Sequence, residues 1–217
     1  MKKIYDKNGF TMTELVMVIV VLGILAALAM PRMDRDRRQE AADTILADIR
    51  YAQHMALNDY RENHTDPNWQ RTFWRVQIEG CADNGMFISV GADIDKDGSL
   101  DQAETLLDPA NGKPMFWDNR QPCEEGGNST VSPNIFLYKK FGIDSIVGGA
   151  GCKDIQHIGF DHLGRPHVSF TQSNQPDYSS YMNQDCVMTF TVKGDDNFSI
   201  IINQETGYAH ILNQNAS

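Results

Sequence analysis

An uncharged apolar run near the N-terminus constrains this chain more than any other feature. Residues 15–30, LVMVIVVLGILAALAM, carry no charge. Together with residues 10–13 the run approaches the ~20 apolar residues that an α-helix needs to cross a bilayer. Glu14 lies inside this stretch, where an unpaired carboxylate is costly. The sequence therefore predicts a membrane and assembly helix over residues 10–31, with Glu14 as a functional residue that needs a partner.

The residues around this run resemble the type IV prepilin motif. A short basic leader, MKKIYDKNG, ends at Gly9 and is followed by Phe10, and a glutamate stands at the fifth position after Gly9. The positions that match the motif are Gly9, Phe10, Thr11, Glu14, Gly23 and Pro31. The resemblance implies that residues 1–9 are a leader, that a prepilin peptidase cuts between Gly9 and Phe10, and that the new amino group is methylated.

The same resemblance implies a partner for Glu14, namely the cationic N-terminus of Phe10 in a neighbouring subunit. Opposite charges attract strongly where the dielectric is low, so this pair would set the axial register between subunits. The resemblance places the N-terminus in the cytoplasm and the helix in the inner membrane as a single pass. The remaining chain is then periplasmic, and after assembly it belongs to a pilus or pseudopilus beside other pilin subunits.

A secretory signal peptide is the alternative interpretation of this run. Residues 27–29, Ala-Leu-Ala, have the spacing of a signal peptidase site, and cleavage there gives a soluble exported protein that begins at Met30. Glu14 would interrupt the front of the hydrophobic region, and Pro31 would lie just past the cut. The prepilin interpretation is therefore preferred.

The segment over residues 32–64 is predicted to continue the helix in amphipathic form. No Gly or Pro interrupts residues 33–63, and apolar residues recur at spacings of three and four. The apolar stripe consists of Ala42, Ile45, Leu46, Ile49, Ala52, Ala56, Leu57 and Tyr60. One helix over residues 10–63 is expected, with Pro31 as the site of a kink and the stripe packed on a sheet.

Residues 65–217 are predicted to form a β-rich globular domain. Apolar and polar residues alternate from Trp74 onward, and turns rich in Gly and Asp separate the short runs, which indicates an antiparallel sheet. The predicted strands cover residues 74–78, 86–90, 135–139, 155–160, 166–171, 187–192, 198–202 and 208–212. A long helix followed by such a sheet belongs to the α+β class.

Three segments resemble GspH/FimT-type minor pilins and pseudopilins. Residues 45–56 are similar to the helix that follows the membrane segment in that family. Residues 158–165, IGFDHLGR, and residues 200–208 are similar to two of its hairpins. Residues 92–153 do not fit the family and are interpreted as an insertion. The resemblance implies a structural subunit of a type IV pilus or a type II secretion pseudopilus.

The insertion begins with a twelve-residue acidic loop, DIDKDGSLDQAE, over residues 93–104. The loop matches the calcium pattern D-x-D-x-D-G-x5-E, and Gly98 permits its sharp turn. The candidate ligands are Asp93, Asp95, Asp97, Ser99, Asp101 and Glu104. Since Ca²⁺ takes six to eight oxygen ligands, a structural calcium site is expected, and no incoming helix is predicted before it. The alternative is a solvated acidic turn without metal.

Four widely spaced cysteines are present, and none forms a Cys-x-x-Cys motif. In an exported chain an even number of cysteines favours two disulfides. Of the three possible pairings we prefer Cys81 with Cys123 and Cys152 with Cys186, because sequential pairs close shorter loops. The alternative is four reduced cysteines in the core.

Composition and motifs argue against several classes of function. The formal net charge of -10 would repel phosphate backbones, so no nucleic-acid partner is expected, and the C-terminal residues 212–217 lack Lys and Arg. No nucleophile elbow, phosphate loop, His-Glu-x-x-His or dinucleotide fingerprint occurs, so no enzyme is expected. A calcium-dependent adhesin or binding module at a filament tip or cell surface is the alternative function.

Overall fold

The computed structural model describes residues 11–63, 65–123 and 130–212, without the side chains of residues 27–36. The predicted leader, Gly9 and Phe10 lie outside the described residues. The chain divides into two compact units, residues 1–37 and residues 38–217.

Helix α1 runs over Met12–Asn58 and is the longest element. Among the described residues, no helix combines the length and apolar character required to cross a membrane. The predicted span over residues 10–31 includes Phe10 and several side chains outside the described set, so this span stays a prediction.

Helix α1 ends at Asn58, before the predicted end at residue 63. The side-chain amide of Asn58 donates a hydrogen bond to the carbonyl of His54 at 2.6 Å, so this side chain bonds back to the last turn of the helix. The next residue, Asp59, accepts a hydrogen bond from the indole N–H of Trp74 at 2.9 Å. These local bonds draw the chain out of the helix after Asn58. The predicted helix end at residue 63 is therefore wrong.

In the described part of the chain, eight strands follow the long helix and form two four-stranded antiparallel sheets. The strands are β1 (Trp74–Gly80), β2 (Met86–Gly91), β3 (Ile143–Gly148), β4 (His157–Phe160), β5 (Pro166–His167), β6 (Cys186–Val192), β7 (Phe198–Ile202) and β8 (Ala209–Ile211). The first sheet has the order β2-β1-β4-β5 and the second has the order β3-β6-β7-β8. The α+β class is confirmed, although two sheets replace the single sheet that was expected.

A short helix, α2 (Leu137–Phe141), replaces the strand predicted over residues 135–139. Leu137 and Phe141 are four residues apart and both are buried, which is the spacing of one helix face. Gly142 ends the helix in the left-handed conformation, with φ of 72°, and its N–H donates to the carbonyl of Tyr138. Strand β3, which was not predicted, starts directly after this glycine.

The second half of α1 packs its apolar stripe into the core of residues 38–217. Six residues of the predicted stripe are buried, and the structure adds the neighbouring Ala41, whereas Leu57 and Tyr60 are exposed. The six are Ala42, Ile45, Leu46, Ile49, Ala52 and Ala56. Two polar side chains on the helix also tie it to the strands and turns. Arg50 donates to the carbonyl of Ala209 at 2.8 Å, and Gln53 donates to the carbonyl of Gly164 at 2.9 Å.

The segment over residues 92–153 is integral to the domain. It supplies strand β3, helix α2 and core side chains that include Phe136 and Phe141. Two of the four cysteines, Cys123 and Cys152, also lie in it. Removing this segment would therefore open the core.

Candidate functional site

Glu14 and Thr11 bond to each other at the start of α1. The carboxylate of Glu14 accepts from the backbone N–H of Thr11 at 2.9 Å and from its hydroxyl at 2.8 Å, while the N–H of Glu14 donates to that hydroxyl at 3.3 Å. This reciprocal arrangement is a capping box, which satisfies N–H groups that the first helical turn leaves open. Both residues are exposed, so the carboxylate is also accessible to another chain.

The first turns of α1 expose large apolar side chains in all directions around the helix axis. Ten of the eleven residues from 15 to 25 are large and apolar, each between 49% and 71% exposed, and the remaining one is Gly23. Consecutive residues step by about 100° around a helix, so this surface has no polar side. A helix of that kind requires lipid or other helices around it.

Three carboxylates of the acidic loop converge directly after β2. Oxygen atoms of Asp93, Asp95 and Asp97 lie within 4.8 Å of one another. Asp93 is fully buried, whereas Asp95 and Asp97 are exposed. The structure thus brings together three of the six predicted ligand residues.

Glu104 closes the loop by bonding to its backbone. One carboxylate oxygen accepts from the N–H groups of Ile94 at 2.6 Å and Asp95 at 3.1 Å, and the other accepts from the N–H of Asp101 at 3.1 Å. Asp101 and Glu104 are not in the three-carboxylate cluster. They fold the second half of the loop back on the first half.

Two glycines allow the loop to take this path. Gly98 has φ of 105°, a conformation that residues with a side chain rarely adopt. Gly91, at the end of β2, lies so close to the carbonyl of Glu104 that a Cβ atom there would meet this oxygen at 2.4 Å. The backbone bridge between Gly91 and Thr105 therefore closes the loop at its base.

The buried carboxylate of Asp93 is bonded through only one of its oxygens. Its Oδ2 accepts from the N–H of Gly98 at 2.9 Å and from the guanidinium of Arg75 at 3.5 Å. Its Oδ1 has no hydrogen-bond partner among the described residues. Burial raises the pKa of Asp93, and the charge of Arg75 only partly opposes this.

Arg75 is a residue that sequence reasoning missed. Its alternation with Trp74 and Val76 predicts an outward side chain, yet Arg75 is fully buried because both faces of β1 are covered there. Besides Asp93, its guanidinium donates to the carbonyl of Gly98 at 3.1 Å and to the side chain of Gln77 at 3.2 Å. No pattern in the sequence signals this buried cation.

Two further cations anchor the outer part of the loop. Lys96 forms an ion pair with Asp66, a residue of the segment that follows α1. Arg71 donates to the carbonyl of Lys96 at 3.1 Å and to the carbonyl of Ser173 at 2.8 Å. The loop is therefore fixed to three different parts of the domain.

An open cleft of about 410 Å³ lies beside the loop. It is lined by side chains from the loop, from β1 and from the segment around Trp117, most of them polar. These residues are Gln77, Glu79, Asp97, Ser99, Leu100, Asp101 and residues 116–121. The cleft shares Asp97 and Asp101 with the acidic loop, so its shape depends on how that loop is held.

The structure contains the two disulfides that the sequence analysis prefers, each between cysteines that are consecutive in the chain. The sulfur atoms of Cys81 and Cys123 are 1.88 Å apart, and those of Cys152 and Cys186 are 1.89 Å apart. All four residues are buried. They hold no metal, since each sulfur is used in a disulfide.

Ser180, His167 and Asp161 are arranged in the order of a hydrolase triad. The hydroxyl of Ser180 lies 2.8 Å from the Nδ1 atom of His167, and the Nε2 atom of His167 lies 3.6 Å from the carboxylate of Asp161. However, Ser180 donates its proton to the carbonyl of Asp177, and all three residues are at most 3% exposed. A buried hydroxyl that is already bonded presents no nucleophile to a substrate, so this array is structural.

Comparison with known proteins identifies the N-terminal segment. A family model described as the prokaryotic N-terminal methylation motif matches residues 5–30. Over 154 residues the chain is 23% identical to a sulfoacetaldehyde acetyltransferase of Rhodobacter capsulatus, a match that covers 70% of this chain and 25% of that enzyme. The identity is too low, and the shared part of the enzyme too small, to transfer an activity. No solved structure matches the chain.

The methylation motif covers residues 5–9 of the predicted leader, the predicted cleavage site and residues 10–30 of the predicted membrane helix. It implies processing by a prepilin peptidase, assembly with other pilins, and an anchored and then filament-associated extracytoplasmic location. The predicted prepilin-type N-terminus is confirmed: the chain carries the N-terminal methylation motif of type IV pilin-like proteins.

Proposed function

We propose that this protein is a minor pilin or pseudopilin of the GspH/FimT type, a structural subunit of a type IV pilus or a type II secretion pseudopilus. The supporting observation is the methylation motif over residues 5–30, which leads into a helix with apolar side chains on every side. Such a helix is suited first to the inner membrane and then to the packed centre of a filament. Cleavage between Gly9 and Phe10 is the maturation step.

The capping box at Glu14 suggests how this carboxylate is bonded before the subunit joins a filament. Before assembly the carboxylate is held by Thr11 within its own chain. In the filament the methylated amine of Phe10 from a neighbouring subunit replaces Thr11 as its partner. In a low dielectric the attraction between two opposite charges is stronger than the bonds of a carboxylate to neutral donors, so the exchange favours the assembled state.

Exchanging Glu14 tests this function. Glu14→Ala removes the carboxylate, and Glu14→Gln keeps the side chain that can accept from Thr11 but removes the charge. We expect both variants to be processed and exported normally and to be absent from sheared filaments. Asp43→Ala, which removes an exposed carboxylate further along α1, is the matched control and should assemble normally. Wild-type amounts of Glu14→Gln in filaments would refute the charge pairing.

A calcium-dependent adhesin at the filament tip is the second candidate, and the cleft beside the acidic loop favours it. Deletion of residues 92–153 does not test it, since this segment is part of the core. Cleft residues outside the core are better targets, because Arg120 is exposed and Asp118 is half-buried. If Asp118→Ala and Arg120→Ala retain assembly and lose surface adhesion, the adhesin function is supported. If adhesion is unchanged in both variants, the cleft has no such function.

A further inference from the structure

We infer that the loop over residues 93–104 binds one Ca²⁺ through the carboxylates of Asp93, Asp95 and Asp97, and that Arg75 is the positioning residue for this site. The inference is independent of filament assembly, because it rests on residues within the globular unit. It also goes beyond the sequence motif, which contains no signal for Arg75.

The first argument is the free oxygen of Asp93. This carboxylate is fully buried, and its Oδ1 has no hydrogen-bond partner in the described part of the chain. A buried polar atom without a partner destabilises the folded state, and more so when it is charged. Because oxygens of Asp95 and Asp97 lie within 4.8 Å of an oxygen of Asp93, a cation between them satisfies the buried carboxylate.

The second argument is the local charge. The loop contains the carboxylates of Asp93, Asp95, Asp97, Asp101 and Glu104. Among the described residues, Lys96 is paired with Asp66, Arg71 is bonded to backbone carbonyls, and Arg75 approaches the carboxylate of Asp93. One guanidinium leaves most of this negative charge uncompensated. A divalent cation would remove the repulsion.

The donor set identifies the class of cation. All the candidate ligands offer oxygen, and the cysteine sulfurs of the domain are used in disulfides, so Zn²⁺ is disfavoured. Mg²⁺ demands near-ideal octahedral geometry and releases its water reluctantly. Ca²⁺ accepts six to eight oxygens in irregular geometry and suits an exposed loop with two solvated carboxylates.

Arg75 prepares the site before the ion arrives. By approaching Oδ2 of Asp93 and bonding the carbonyl of Gly98, its guanidinium holds the loop on β1 and leaves Oδ1 free. Glu104 holds the backbone of the same loop from the other side. A loop that is already folded loses little conformational entropy when it binds a ligand. Arg75 thus acts through Asp93, without itself contacting the ion.

The test is calcium titration of the full-length protein in detergent after treatment with a chelator. We expect one Ca²⁺ per chain, with a dissociation constant on the order of 10⁻⁴–10⁻³ M, as in extracellular modules of this type. Saturating Ca²⁺ should raise the melting temperature by several degrees relative to chelator. The absence of both binding and a thermal shift at about 10 mM Ca²⁺, or tighter binding of Mg²⁺ than of Ca²⁺, would overturn the assignment.

Variants distinguish a specific calcium site in the loop from unspecific binding of Ca²⁺ to exposed carboxylates. Asp95→Asn and Asp97→Asn are exposed, so they should fold, and each should weaken calcium binding at least about tenfold. Asp144→Asn removes an exposed carboxylate from β3 and should bind like the wild type. If Asp95→Asn and Asp97→Asn also bind like the wild type, the loop is not the site.

Arg75→Lys tests the positioning role. Lysine keeps the charge but cannot bond Asp93, Gly98 and Gln77 together. In calcium-loaded protein, this variant should keep most of the wild-type stability, while its calcium affinity falls about tenfold or more. Unchanged affinity in folded Arg75→Lys would show that Arg75 only fills the core.

Discussion

The guanidinium of Arg75 lies 3.5 Å from the carboxylate of Asp93, and neither side chain is exposed to solvent. This ion pair joins the centre of the first sheet to the first residue of the acidic loop. Burial of both charges carries a large desolvation penalty. The hydrogen bonds of Arg75 to Gln77 and Gly98 offset part of this penalty. The relationship connects the stability of the domain to the state of the loop.

Arg75→Met should destabilise the domain by about 3–5 kcal/mol in the presence of chelator, because it leaves the buried carboxylate of Asp93 without its counter-charge. Calcium should recover part of this loss by supplying a positive charge in the loop. Urea denaturation with and without Ca²⁺ measures both effects. Arg120→Met, at an exposed position, should change stability by less than about 0.5 kcal/mol. A loss from Arg75→Met no larger than that control would contradict the prediction.

Asp48→Asn should stabilise the protein at neutral pH. Asp48 is buried on the core side of α1, its Oδ2 has no partner among the described residues, and burial together with the charge of Asp108 raises its pKa well above 3.8. A raised pKa favours folding below pH 3.8, and this advantage is lost as the pH rises through the folded pKa. The neutral amide avoids that loss.

We expect a gain of about 1–2 kcal/mol at pH 7 from Asp48→Asn, which shrinks toward zero as the pH approaches 3.8. Thermal denaturation across this pH range measures it. Asp43→Asn, on the exposed side of the same helix, is the control and should change the free energy of unfolding at pH 7 by less than about 0.5 kcal/mol. A gain that is the same at every pH would point to a cause other than ionisation.

His157 should make the domain less stable in mild acid. Burial, with a smaller contribution from the charge of Arg75, lowers the pKa of His157 from 6.5 to about 4, against the opposing effect of Asp154. A lowered pKa means that stability is complete above pH 6.5 and is lost as the pH falls through about 4. The loss should reach about 3 kcal/mol.

The comparison of wild type with His157→Gln in urea denaturation between pH 7 and pH 4 measures this contribution. The wild type should lose stability faster than the variant over that range. His54→Gln, at an exposed position of α1, should follow the wild-type curve. Parallel curves for the wild type and His157→Gln would exclude His157 as the source.

Each disulfide should contribute to stability by a similar amount. The bridges separate residues by 42 and 34 positions, so they restrict the unfolded chain to nearly the same extent. Paired replacement, Cys81→Ala with Cys123→Ala or Cys152→Ala with Cys186→Ala, should cost about 2–5 kcal/mol in each case. Denaturation midpoints of both double variants under oxidising conditions give the comparison. An unchanged midpoint in either one would show that its bridge is dispensable.

Local sequence patterns were sufficient to predict the prepilin-type N-terminus and the positions of most strands. The prepilin-type signal depends on residue types at fixed spacings, so Gly9, Phe10 and Glu14 can be recognised without a fold. Strand β1 alternates apolar and polar residues in sequence, β6 and β7 alternate buried and half-buried residues, and Gly and Asp mark turns between strands. The acidic loop was found in the same way, because its candidate ligands are neighbours in the chain.

Local sequence patterns did not predict features of the structure that depend on packing between distant segments. The residues of α2 read as a strand, since a short apolar run has no clear period, and the burial of Leu137 and Phe141 made it a helix. Asp48 and Arg75 carry charged side chains, which usually lie at the surface. Both are buried because other parts of the chain cover them, which no local sequence window contains.

The sequence by itself therefore determined the N-terminal signal, the α+β class and the acidic loop, because each depends on residues close together in the chain. Only the tertiary structure decided that there are two sheets, that residues 92–153 belong to the core, and that Arg75 lies against Asp93. These depend on contacts between distant segments, where burial outweighs local preference.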